Sequence, residues 1–170
     1  MKKLTLNSML ISLAVVLSYA ERFIPLDLIV PLPGIKLGFA NIVTMFALFF
    51  LGIPSAITVT VLRCLLASLL FGGMSSLLYS LSGAFFALNV MILLKLGYNK
   101  FFSLLGISMG GAAAHNTGQI IMASLMMRNT AIFSYLPFLL LTGLGTGLIT
   151  AVITVNLFRI IEKTNSVKLY

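Results

Sequence analysis

His115, Asn116, Thr117 and Gln119 stand together inside Ser108–Met122, a run that is otherwise apolar and long enough to cross a bilayer. At about 100° per residue, Ser108, Ala112, His115, Asn116, Gln119 and Met122 share one broad helical face. Thr117 points the other way and can bond back to its own helix. The small residues Gly110 to Ala114 lead into this polar step, so another helix or a ligand can come close to the backbone. Arg63 raises the same question more sharply. An arginine at the bilayer centre costs about 2.5–3.5 kcal/mol on insertion scales. The sequence offers it no acid at that depth, because Glu21 and Asp27 read as outer-loop residues and Glu162 as the opposite end. Either carbonyls and side-chain amides satisfy Arg63, or an anionic ligand does.

The elements that must position these groups are set by composition. Of 170 residues, 60% are hydrophobic and only 8% charged, more apolar surface than a soluble domain of this size can bury. The expected fold is therefore an all-α integral membrane protein, a single domain of six transmembrane helices. The spans read as about 4–20, 37–51, 54–71, 75–96, 101–127 and 131–161, the second rather short and the sixth broken or kinked near Pro137. Met1-Lys2-Lys3 before the first span fits a cytoplasmic start; Ser18-Tyr19-Ala20 also resembles a secretory cleavage step, the less favoured reading. Glu21–Lys36 carries three prolines and reads as an outer connection that could fold over the mouth of a cavity. No repeat, low-complexity tract or second domain is evident.

Six spans place both termini on one side. Lys2, Lys3, Lys95, Lys100, Arg159, Lys163 and Lys168 lie on that side against Arg22, Lys36 and Arg128 on the other, so the termini are expected in the cytoplasm. The same topology brings Arg63 and His115 near the midplane, Asn116 and Gln119 slightly outside it, Lys36 and Asn41 into the second span from outside, and Tyr79 and Ser82 into the outer part of the fourth. These eight residues could line one cationic pocket opening outward. The competing readings are structural: His115 as an interhelical bond, Asn116 and Gln119 as helix clamps, and Lys36 snorkelling to the interface. Ser8-x-x-x-Ser12 and Gly143-x-x-x-Gly147 mark faces where a neighbouring helix can lie close.

Catalysis finds little support. There is no phosphate loop ending in Gly-Lys-Ser/Thr and no Ser/His/Asp set. One histidine and one cysteine, Cys64, build no metal site. Three scattered acids cannot form the aspartate-rich magnesium clusters of polyprenyl diphosphate synthesis, nor a proton or sodium relay. The chain is expected to bind and move something, or to anchor something, as a non-enzyme with no cofactor of its own.

Several segments carry a family likeness. Tyr19-x-Glu21-Arg22-x-Ile24-Pro25, Pro33-Gly34-Ile35-Lys36-Leu37-Gly38-Phe39-Ala40-Asn41-Ile42, Leu62-Arg63 and Ala114-His115-Asn116-x-Gly118-Gln119 resemble the Gx transporter family, also labelled heptaprenyl diphosphate synthase component I. More broadly, the pattern is similar to the substrate-binding S components of energy-coupling factor (ECF) transporters. The resemblance implies a subunit of the bacterial cytoplasmic membrane that captures a small anionic or amphipathic metabolite, such as a vitamin or an isoprenoid or quinone precursor. It also implies a transmembrane coupling protein and two cytoplasmic ATPases as partners; the partners would use ATP, and Ser8 and Ser12 would form the docking face, with serines where that family commonly has alanines. Two rivals stand beside it: a noncatalytic membrane subunit assisting polyprenyl or quinone synthesis, and a structural anchor of an electron-transfer assembly, which would tolerate Arg63→Met.

Overall fold

The computed structural model describes residues 2–24 and 36–163, and the described residues form helices joined by short turns. They are α1 (Lys2–Ala20), running into a 3-10 turn at Glu21–Phe23, then α2 (Asn41–Phe50), α3 (Ile53–Phe71), α4 (Met74–Lys95), α5 (Leu104–Met127), a 3-10 segment at Thr130–Tyr135 and α6 (Leu136–Lys163). Most of the outer connection expected between the first two spans, residues 25–35, lies outside the described residues.

Among the described residues, four segments are long and apolar enough to cross a membrane: Lys3–Phe23, Ile53–Phe71, Met74–Lys95 and Thr130–Ile160. At 1.5 Å per residue, the 24 residues of α5 are about 36 Å long, ample for a bilayer, but its polar residues dilute its hydropathy. The reading of 37–51 as one helical span is corrected. The α-helix of this segment has only 10 residues, about 15 Å or half the hydrocarbon thickness. Gly38 sits at φ +86° with a turn at Phe39–Ala40, and the helix starts only at Asn41. Nine of its ten residues are buried, because α2 touches α1, α3, α4, α5 and α6.

α1 and α3 run side by side in the same direction. Asn7 Nδ2 donates to Ser55 Oγ at 3.4 Å at one end, and the Arg22 guanidinium donates to the Phe71 carbonyl at the other. Near the Asn7 end, Lys95 Nζ donates to the Leu48 carbonyl, and Phe49 and Phe50 pack edge-on against Phe158 of α6. Both described ends of the chain therefore lie at one end of the bundle.

α5 is fixed between α4 and α6 by small residues. Gly118 meets Ser82 and Gly83 of α4, and Gly111 meets Met91, while Gly143 and Gly147 of α6 face Asn116, Ala112 and Met109 of α5. Hydroxyls add to this packing: Ser82 Oγ donates to the Gly118 carbonyl at 2.7 Å, and Ser108 Oγ to the Gly147 carbonyl at 2.9 Å. α5 begins later than its apolar run suggests, because the Ser103 hydroxyl caps it by accepting from the Gly106 N–H. The break near Pro137 falls at the passage from the 3-10 segment into α6, where proline occupies the first turn and lacks no intrahelical bond.

Candidate ligand site

The break ahead of α2 creates a demand for hydrogen bonds. Leu37, Gly38 and Ala40 are buried without being helical, and irregular backbone at membrane depth must find partners inside the protein. Two side chains supply them. Gln119 Oε1 accepts the Lys36 N–H at 3.3 Å, and Glu21 Oε1 accepts the Ala40 N–H at the same distance. With its oxygen held this way, the Gln119 amide nitrogen faces His115 Nε2 at 2.9 Å. An amide nitrogen can only donate, so Nε2 is the acceptor and the ring proton falls to Nδ1, which packs against Gly83 with no hydrogen-bond partner among the described residues.

Arg63 reaches this assembly from the middle of α3. One guanidinium nitrogen, Nη2, donates to Asn41 Oδ1 at 2.8 Å at the start of α2. Arg63 is only 4% exposed, and its Nε has no partner among the described residues; neither has Asn41 Nδ2. Gly38 is wedged between two members of the cluster: a Cβ there would stand 2.8 Å from Asn41 Nδ2 and 3.1 Å from His115 Cδ2. One helical turn deeper, the hydroxyls of Thr44 and Thr60 pair at 3.0 Å.

The charge balance differs from the expectation that no acid shares the depth of Arg63. Glu21 is 5% exposed and belongs to the 3-10 turn that closes α1, not to an outer loop. Both Arg63 and Lys36 act electrostatically on its carboxyl group, although no direct ion pair forms among the described residues. Burial holds the Lys36 ammonium below the usual lysine range, and Glu21 pulls the other way. Desolvation is the larger effect, so Lys36→Met should leave thermal stability within about 1 kcal/mol of the parent protein while weakening retention of any anion. A melting curve read beside ligand retention checks both halves.

Of the eight residues expected to converge, five do: Lys36, Asn41, Arg63, His115 and Gln119. Three others serve helix packing. Asn116 Nδ2 donates to the Leu139 carbonyl of α6, Ser82 ties α4 to α5, and Tyr79 lies in an apolar cluster with Ile120, Ala123, Ile132 and Leu139. Thr117 bonds back to the Ala113 carbonyl at 2.9 Å. Ser8 and Ser12 are exposed on α1, with their hydroxyls turned onto the Leu4 and Ser8 carbonyls. Glu21 is the member that sequence reasoning missed. Its signal was its place one residue past an apolar run of helical length, where the chain had not yet left the bundle.

Fold and site together define an all-helical membrane protein with a buried, net cationic cluster at the start of a half-length inner helix. Residues 10–157 match the family model described as heptaprenyl diphosphate synthase component I, and the chain belongs to that family. No curated protein and no solved structure matches it.

Proposed function

We propose that the chain is a substrate-capture subunit of the bacterial cytoplasmic membrane, binding the anionic group of a small, partly apolar metabolite at the Arg63 cluster. The single observation that carries this reading is the buried Nε of Arg63, without a partner among the described residues, beside the N-terminus of α2. Interrupted helices whose N-terminal ends point at a buried site are a recurring way for membrane carriers to hold anions. Lys36, Asn41, His115 and Gln119 complete the donor set in this proposal. Tyr79, Ser82 and Asn116 support the helices that carry it.

In its finer form the reading is an S component of an ECF-type importer, with six crossings and cytoplasmic termini. The importer would have a transmembrane coupling protein and two ATPases as partners, and Ser8 and Ser12 on the docking face. The protein itself would consume no ATP and perform no catalysis. The cargo class would include isoprenoid or quinone precursors and vitamins.

The family description favours a second reading, a noncatalytic membrane component of a prenyl diphosphate synthase. Affinity purification from membranes, with mass spectrometry of both small molecules and proteins, separates the two. Capture predicts a bound anion that Arg63→Ala loses, together with a coupling protein and ATPases. The synthase reading predicts a soluble prenyl synthase as the stable companion. An unchanged small-molecule profile in Arg63→Ala would rule out the site.

A further inference from the structure

Glu21 is a buried acid beside the cations of the cluster. Its carboxyl is buried at the end of α1, accepts from the Ala40 N–H at 3.3 Å beside the Phe39 backbone, and is under the electrostatic influence of Arg63 and Lys36. That bond is longer than the usual N–H···O range of about 2.7–3.2 Å, a weak hold for a buried acid. Glu21 also leaves Arg63 Nε and Asn41 Nδ2 without acceptors among the described residues. The cluster therefore contains a carboxylate that balances its charge without satisfying its donors.

We infer that the Glu21 carboxylate is a tethered counter-anion of the Arg63–Lys36 site, holding the electrostatic place of the ligand until a carboxylate or phosphate group displaces it. The inference rests on the substrate-capture reading above. It assigns Glu21 a part in setting affinity: two cations against one acid leave a net charge of +1, and moving the acid aside exposes both. An incoming anion brings the acceptor oxygens that Glu21 does not offer, so exchange completes the hydrogen bonds of Arg63 and Asn41. The empty site meanwhile avoids burying two bare cations, which is costly in a low dielectric.

The test is thermal stabilisation of the full chain in phosphatidylcholine nanodiscs by sodium acetate and inorganic phosphate, at ionic strength matched with chloride. Glu21→Gln should respond to at least one anion at a concentration about tenfold or more below that needed by the parent protein, the effect of removing a competing buried charge. Arg63→Met and the double variant should lose the response. Glu21→Asp, which keeps the charge on a shorter stem, should fall between parent and Glu21→Gln and replaces it if the amide variant does not fold. A Glu21→Gln or Glu21→Asp response at the parent's concentration, or no response at all, overturns the inference. Equal responses in the parent and Arg63→Met instead overturn the capture site itself. Repeating the series with phosphatidylglycerol identifies the source: stabilisation of Glu21→Gln without added anion means that a lipid headgroup phosphate is the displacing group.

Discussion

Arg63→Met is expected to release whatever anion the protein retains, with affinity falling at least about thirtyfold, since removing one partner of a buried charged contact costs about 2 kcal/mol or more. The guanidinium joins the middle of α3 to the start of α2 through Asn41 Oδ1. Methionine fills similar space but donates nothing, so Asn41 Oδ1 loses its one partner among the described residues and Glu21 loses its strongest electrostatic partner. An orphaned buried acceptor adds about 1–3 kcal/mol of destabilisation. Arg63→Lys keeps the charge without the planar fork and should restore part of the stability but less of the binding. Thermal unfolding and mass spectrometry of the retained ligand read the two effects separately. A tolerant Arg63→Met, with unchanged melting and unchanged cargo, would favour the anchor reading instead.

Gly118→Ala should destabilise the bundle by about 1–3 kcal/mol and disorder the ligand site with it. A Cβ at this position would lie 2.8 Å from the Ser82 carbonyl oxygen and 3.1 Å from Gly83 Cα, so backbone would have to yield. Gly83 in turn carries the ring of His115 and the stem of Gln119, each within 2.9 Å of where its own Cβ would be. Pushing α4 away therefore disturbs the side chains that hold the Lys36 backbone. Gly145 provides the internal control, having no heavy atom within 4 Å of its would-be Cβ. Gly145→Ala should be neutral or stabilising by up to about 1 kcal/mol through helix propensity alone. Equal melting temperatures for the two variants would refute the close-packing account.

What could be read from the chain alone follows from which signals are local. Polar side chains in apolar runs are visible without any fold, and Arg63, His115 and Gln119 stood out for that reason. The likeness carried by the Pro33–Ile42 segment, Leu62-Arg63 and Ala114–Gln119 agrees with the family match over 10–157. Roles that depend on a neighbour were not legible. Asn116 and Gln119 share a face three residues apart, yet one turns to α6 and the other to the broken segment before α2. Glu21 was assigned to a loop because prolines follow closely, but the first of them comes four residues later and α1 passes directly into the turn that buries the carboxyl. The helix of α2 starts later than its apolar run because hydropathy cannot register the positive φ of Gly38, a glycine that Asn41 and His115 crowd too closely for any side chain.

The division of the bundle into two tightly packed groups has a mechanical corollary. α1 and α3 are clipped together at both ends, while α4, α5 and α6 are joined through glycines, and the charged cluster draws Glu21 and Arg63 from the first group and His115 and Gln119 from the second. Its members thus span the contact between α3 and α4, which Cys64 Sγ and the Ser80 carbonyl also bridge at 3.6 Å. Slippage of one block past the other would leave Glu21 and Arg63 in step while carrying His115 and Gln119 away from the Lys36–Asn41 segment, so the shape of the site depends on how the helices are aligned as well as on single rotamers.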